Sequence, residues 1–192
     1  MRRRARTSLL AVTFAVSLTG CVPGTQARAS CDVVDGTIFV LAAQAVPSAT
    51  LLPCIRSFPA GWSYDGSDIR SGWATFWLDS DRAGARAVEV DLTRACDTQG
   101  AVEVAPAPDE AGTRRFEKPI SLQPTYQADR YYLFAGGCVT YRFRFAAGAS
   151  TTLALEVDEA LSFRSRGPLV QGVREDFGQI LCGAGAPPCV RD

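Results

Sequence analysis

Histidine is missing altogether from the 192 residues. Its absence excludes Ser-His-Asp and Cys-His triads and any imidazole-ligated zinc or iron centre. Lysine occurs once, at Lys118, followed by Pro119 and outside any S-x-x-K pattern, so a Ser–Lys dyad has no footing. Phosphate-cradling glycine loops and the G-x-S-x-G elbow are also lacking. No C-x-x-C pair occurs, which argues against metal ligation by thiolates. No apolar run approaches the roughly 20 residues of a spanning helix. Acidic and basic residues number 20 each. Nucleic-acid binders usually carry a clear basic excess, so no nucleic-acid partner is expected. A hydrolase working with two carboxylates remains the only enzyme class in view, and no cofactor is implied.

What is present begins with the leader. Arg2, Arg3, Arg4 and Arg6 precede an apolar stretch over residues 8–18, and Leu18-Thr19-Gly20-Cys21 closes it. This order of charge, grease and small residues resembles a bacterial lipoprotein signal, with Leu18 to Cys21 as its lipobox. The resemblance implies cleavage before Cys21 and diacylation of its sulfur. Two acyl chains make a lasting anchor where one holds weakly. Residues 1–20 then form the signal peptide and residues 21–30 a lipidated tether, spanning roughly 17 Å as a flexible chain. Residues 31–192 form a single extracytoplasmic domain at the outer face of the cytoplasmic membrane. Cleavage removes four arginines and no acid, leaving 16 basic and 20 acidic residues in a mature chain of 172.

Six further cysteines remain: Cys31, Cys54, Cys96, Cys138, Cys182 and Cys189. An even number in an exported chain points to three disulfides, with 15 connectivities open. Pro187 and Pro188 stiffen a short Cys182–Cys189 loop, and Cys54–Cys96 and Cys31–Cys138 complete the expected set.

Residues 37–41 read as a β-like run. Pro47, Pro53 and Pro59 mark residues 46–61 as loop. Residues 73–93 carry the clearest hairpin signal. Ala74, Phe76 and Leu78 alternate with Thr75 and Trp77, and the return strand alternates Val88, Val90 and Leu92 with Glu89 and Asp91. Between them Asp79-x-Asp81-x-x-Gly84 reads as turn chemistry rather than a calcium loop, because Ala83 and Val90 stand where ligands are needed. Residues 102–104 and 114–117 are short strands. A second hairpin covers residues 130–145 around Gly136-Gly137, which permit positive φ. Afterwards the period changes: Leu153, Val157 and Leu161 make one helical stripe, and Leu169, Val173 and Phe177 another between Pro168 and Gly178. The fold class is therefore α+β. Hairpins build an antiparallel sheet, a C-terminal helix pair packs on one face, and disulfides staple the whole. Residues 40–49, 78–84 and 136–143 (VLAAQAVPSA, LDSDRAG and GGCVTYRF) resemble segments of exported actinobacterial domains. That resemblance implies an exported location and brings no activity.

Two surfaces invite a functional reading. Trp62, Trp73 and Trp77 are all the tryptophans, and with Tyr64 and Phe76 they fall within sixteen residues. Trp73 and Trp77 share a strand face opposite Phe76 and Leu78, an arrangement suited to stacking sugars; burial is the common fate of such indoles. Arg142 and Arg144 on one strand, with Arg164 and Arg166 between the helices, could meet anionic headgroups or wall polymers. The leading expectation is a non-catalytic lipoprotein domain that binds an envelope protein or cell-wall partner. A glycan- or lipid-binding module using the aromatic cluster is the alternative, ahead of a carboxylate-dependent hydrolase.

Overall fold

The computed structural model describes residues 36–182. The elements run α1 (Gly36–Ala45), β1 (Leu51–Ile55), β2 (Trp62–Arg70), β3 (Trp73–Ser80), β4 (Gly84–Thr93) and β5 (Val102–Val104). A short 3-10 turn (Pro108–Glu110) leads to β6 (Arg114–Ser121), β7 (Gln127–Phe134), β8 (Gly137–Arg144), α2 (Thr152–Ala160), β9 (Leu161–Ser165) and α3 (Arg166–Phe177). Seven strands form one antiparallel sheet in the order β2-β3-β4-β8-β7-β6-β5, and β1 pairs with β9 in a second, two-stranded sheet. The α+β architecture with its C-terminal helix pair is as the sequence pattern implies.

Period-2 alternation decides which face of the large sheet is apolar. Val88, Val90 and Leu92 stand opposite Phe143, Tyr141 and Val139 in register, and all six are buried. The β1–β9 pair lies against this inner face: Phe163 of β9 packs its ring 5.1 Å from Tyr132 and 6.1 Å from Tyr141, centroid to centroid. Leu153, Ala154, Val157 and Ala160 are the buried positions of α2. Its stripe ends at Ala160, because Leu161 is already extended and opens β9. Gly178 adopts the left-handed conformation (φ 63°) that ends α3, as its position after Phe177 suggests.

Three local readings need correction. Residues 37–41 belong to a helix, not a strand: the β-like run continues into Ala42, Ala43 and Ala45, strong helix formers, and α1 packs on β1, β2, β3 and α3. Residues 51–55 form a strand despite Pro53. Among the described residues the strand pairs only with β9, so the missing N–H can point away from that partner. The second hairpin turns at Ala135-Gly136 rather than Gly136-Gly137, since Gly137 already pairs with Phe134. Only Gly136 has positive φ (75°), and a Cβ there would meet the Ser48 carbonyl oxygen at 1.8 Å. Ser48 and Thr50 hydroxyls donate to the Gly136 and Ala135 carbonyls, which ties the 46–50 loop to this turn.

Candidate functional site

On the outer face of the large sheet the three tryptophans do not assemble. Trp62 pairs with Ser80 on the inner side, is 5% exposed, and packs 6.2 Å from Phe145. Trp73 and Trp77 do share the outer face, half-buried. Each lies beneath an arginine: Arg70 is 5.7 Å from the Trp73 ring and Arg86 is 4.4 Å from the Trp77 ring. The Trp77 indole N–H donates to Glu89 Oε2 at 2.9 Å, so its polar edge is also engaged. A sugar-stacking surface of Trp62, Trp73 and Trp77 is therefore not formed.

The arginines of that face are neutralised in place. Arg142 donates to both Glu89 and Asp91, and Asp91, 2% exposed, also accepts from Thr75. Arg144 pairs with Asp129 at 2.7 Å. Burial alone would raise the Glu89 pKa, but hydrogen bonds from Trp77 and Arg142 outweigh it and hold the carboxyl low. Arg166 is 2% exposed and donates to the carbonyls of Ala43 and Cys182, so it joins α1 to the chain beyond α3; burial lowers its pKa.

Cys96 bonds to Cys138, which replaces the expected Cys54–Cys96 and Cys31–Cys138 pairs. The reason is topological. β4 and β8 are neighbours, Thr93 sits opposite Cys138, and the loop after β4 brings Cys96 back over it. Cys54 and Cys182 are also disulfide-bonded. Cys21, Cys31 and Cys189, with the leader, the tether and the expected Cys182–Cys189 clasp, fall wholly or partly outside the described residues.

The sequence pattern does not bring out what lies on the inner face beside α2. There Arg115, Glu117, Arg130 and Tyr132 take inward positions on β6 and β7. Arg130 reaches Asp158 of α2 at 2.5 Å and Glu117 at 3.3 Å; Arg115 reaches Glu110 at 3.1 Å and Glu117 at 2.5 Å. Desolvation lowers the pKa of both guanidinium groups, but the surrounding groups, Asp158 foremost for Arg130 and Tyr132 for Arg115, raise it further. Beside this network opens a cavity of about 260 Å³ lined by Glu110, Asp158, Tyr141, Leu161, Phe163 and others. Arg56 and Glu159 line it too, and both are exposed. Tyr141 is 2% exposed, and among the described residues neither its hydroxyl nor that of Tyr132 has a hydrogen-bond partner. The 3-10 turn, β6, β7, β8, α2 and β9 supply these groups, so they come together only through the tertiary fold. One signal was legible: Arg130 alternates with Ala128 and Tyr132, so an inward-facing strand position carries a charge that must find a buried partner.

Desolvation first, then neighbouring acids, raises the pKa of Tyr132 and Tyr141, and burial also raises Tyr126 and Tyr131. A phenol whose folded pKa exceeds its unfolded one stabilises fully below the unfolded value, near 10, and that contribution is lost as pH rises beyond it. Alkaline titration should therefore show most tyrosinate absorbance arriving with unfolding above about pH 10. Smooth ionisation of all five tyrosines near pH 10 in the folded state would contradict the burial described.

No protein-family model matches this sequence, and no curated protein matches it. A crystal structure from Bacteroides thetaiotaomicron VPI-5482 is similar at 12% identity over 71% of this chain, with a TM-score of 0.33. The matched region spans 62% of that chain, and at this distance the likeness brings no function with it.

Proposed function

We propose that this chain is a lipoprotein anchored through acyl chains on Cys21 to the outer face of the cytoplasmic membrane, and that its domain binds there without catalysing a reaction. The anchor rests on Leu18-Thr19-Gly20-Cys21 behind four arginines and an apolar run. For the domain, the supporting observation is the state of its clustered acids. A general acid–base pair needs one carboxyl free to hold and release a proton. Asp158 lies 2.5 Å from Arg130 and Glu110 lies 3.1 Å from Arg115, so each of these acids is already engaged by a guanidinium group. The cavity beside them offers both polar and apolar contacts, as binding sites do.

The glycan-binding reading keeps a place, but it moves from the tryptophans to this cavity. An envelope-protein partner stands beside it. Replacing Cys21 with Ser should shift the protein from the membrane fraction to the soluble extracytoplasmic fraction without changing its melting temperature. A Cys21→Ser protein that stays with the membrane would overturn the anchor.

A further inference from the structure

We infer that the domain is stapled to its own tether: Cys54 of β1 is bonded to Cys31, and Cys182, beyond α3, is bonded to Cys189. The inference rests on the acylation of Cys21, because a sulfur held in a thioether cannot enter a disulfide.

The cysteines narrow the choice among themselves. Cys96 and Cys138 satisfy each other. Cys54 and Cys182 are both disulfide-bonded, yet among the described residues they are not bonded to one another, so each has its partner elsewhere in the chain. With Cys21 acylated, Cys31 and Cys189 are the two that remain. Either Cys31 takes Cys54 and Cys189 takes Cys182, or the two bonds cross.

Placement in the fold decides between these. Cys54 is buried and lines an apolar cavity with Ile38 and Ala42 of α1. Ile38 is the third residue of that helix, and Cys31 precedes its first residue, Gly36, by five positions. Five residues of extended chain reach about 17 Å. Bonded cysteines need Cα atoms roughly 4.4–6.8 Å apart, so Cys31 reaches Cys54 with slack. Cys182 belongs to the far end of α1 from the entering chain. Its carbonyl accepts from Arg166, whose other arm donates to the carbonyl of Ala43 in the last turn of that helix. The direct pairing closes separations of 23 and 7 residues, whereas the crossed one closes 151 and 135. Loop-closure entropy favours the shorter loops as the chain oxidises. Residues 22–30 are then the whole span between the lipid and the covalently closed fold, and the lipid meets that fold at its α1 end.

Each bond forms by exchange with an exported dithiol oxidant in its disulfide form. The Cys31 thiolate attacks one oxidant sulfur and expels the other; the Cys54 thiolate then attacks Cys31 Sγ and expels the first. Two protons and two electrons pass from the cysteine pair to the oxidant, which leaves as a dithiol. The Cys182 and Cys189 thiols close in the same way.

The sequence supplies a direct test. Trypsin cuts after Arg28, Arg56, Arg174 and Arg191, and no lysine or arginine lies between Cys31 and Cys54 or between Cys182 and Cys189. Peptides 29–56 and 175–191 therefore each contain both members of one proposed pair. Unreduced digestion of the full mature chain from membranes, with thiols blocked, should release the two peptides separately. Each should be lighter than its reduced form by the mass of two hydrogens. One species joining 29–56 to 175–191 would overturn the pairing and leave the anchor standing. Peptide 21–28 joined to either by a disulfide would overturn both. Two separately closed peptides beside an unacylated 21–28 would uphold the pairing and overturn the anchor. As a second measurement, Cys31→Ser should leave one thiol open to alkylation in denaturant, at Cys54, and lower the melting temperature by roughly 7–14 °C. Alkylation at Cys182 instead would contradict the pairing.

Discussion

Replacing Arg130 with methionine should cost the domain about 3–5 kcal/mol, the range seen when one partner of a buried ion pair is removed. The Arg130 side chain is 8% exposed and lies between Asp158 and Glu117, with its guanidinium 4.9 Å from the Phe143 ring centroid. After the substitution Asp158, 19% exposed, keeps only Arg115 at 3.9 Å, too far for a hydrogen bond. Its charge would then be poorly compensated beneath α2. Methionine retains much of the arginine stem's packing, so the loss reports the charge rather than a void. Removing both partners should cost less than removing one: Arg130→Met with Asp158→Leu should recover part of the stability. Urea unfolding measures both. A loss below about 1 kcal/mol for Arg130→Met, typical of a solvent-screened pair, would mean that the network is not buried as described.

Loss of the Cys96–Cys138 bond is the second large effect. The bond closes a separation of 42 residues. In the chain-entropy model a loop of that length contributes about 4 kcal/mol by restricting the unfolded chain. The double substitution Cys96→Ser, Cys138→Ser isolates this bond from those of Cys54 and Cys182, which a reductant would break as well. Folded-state contacts argue in the same direction. Cys96 Sγ lies 3.2 Å from the Thr140 hydroxyl, and Lys118 donates to the Gln99 carbonyl, so the 94–100 loop is held across the outer face of β6 and β8. An unchanged urea midpoint in the double variant would contradict the account.

Legibility in the sequence followed amphipathicity. The strands from Trp73 to Thr93 alternate cleanly, because one face meets the core and the other meets polar partners, and their register is as the pattern implies. β2 carries no such pattern, for the opposite reason. It is an edge strand of polar residues, with a register shift between Tyr64 and Gly66, and only Trp62 at its start is buried. Pro53 concealed β1, and Pro119 sits inside β6 on the same logic, beyond the three residues that β5 covers. β9 was hidden between two helical stripes because Leu161 fits both the end of one and the start of a strand.

The site was less legible than the fold. Trp73 and Trp77 drew attention by composition, yet Arg70, Arg86 and Glu89 engage them, and no local pattern announces those partners. Glu110, Tyr141, Asp158 and Phe163 come from a 3-10 turn, a central strand, a helix and the second sheet. Their meeting depends on strand order, which alternation does not specify. The disulfide pairing was illegible for the same reason: Cys54 and Cys138 are equally far from Cys96 along the chain, 42 residues, and only the adjacency of β4 and β8 selects Cys96–Cys138.

The location proposed for this domain depends on the sulfur of Cys21. Intact-mass and peptide mass spectrometry of the protein extracted from cell membranes is the direct measurement. The account predicts a mature chain whose first residue is Cys21, carrying a thioether-linked diacylglyceryl group. A chain that begins at another residue, or that carries an unmodified Cys21 thiol, would contradict it.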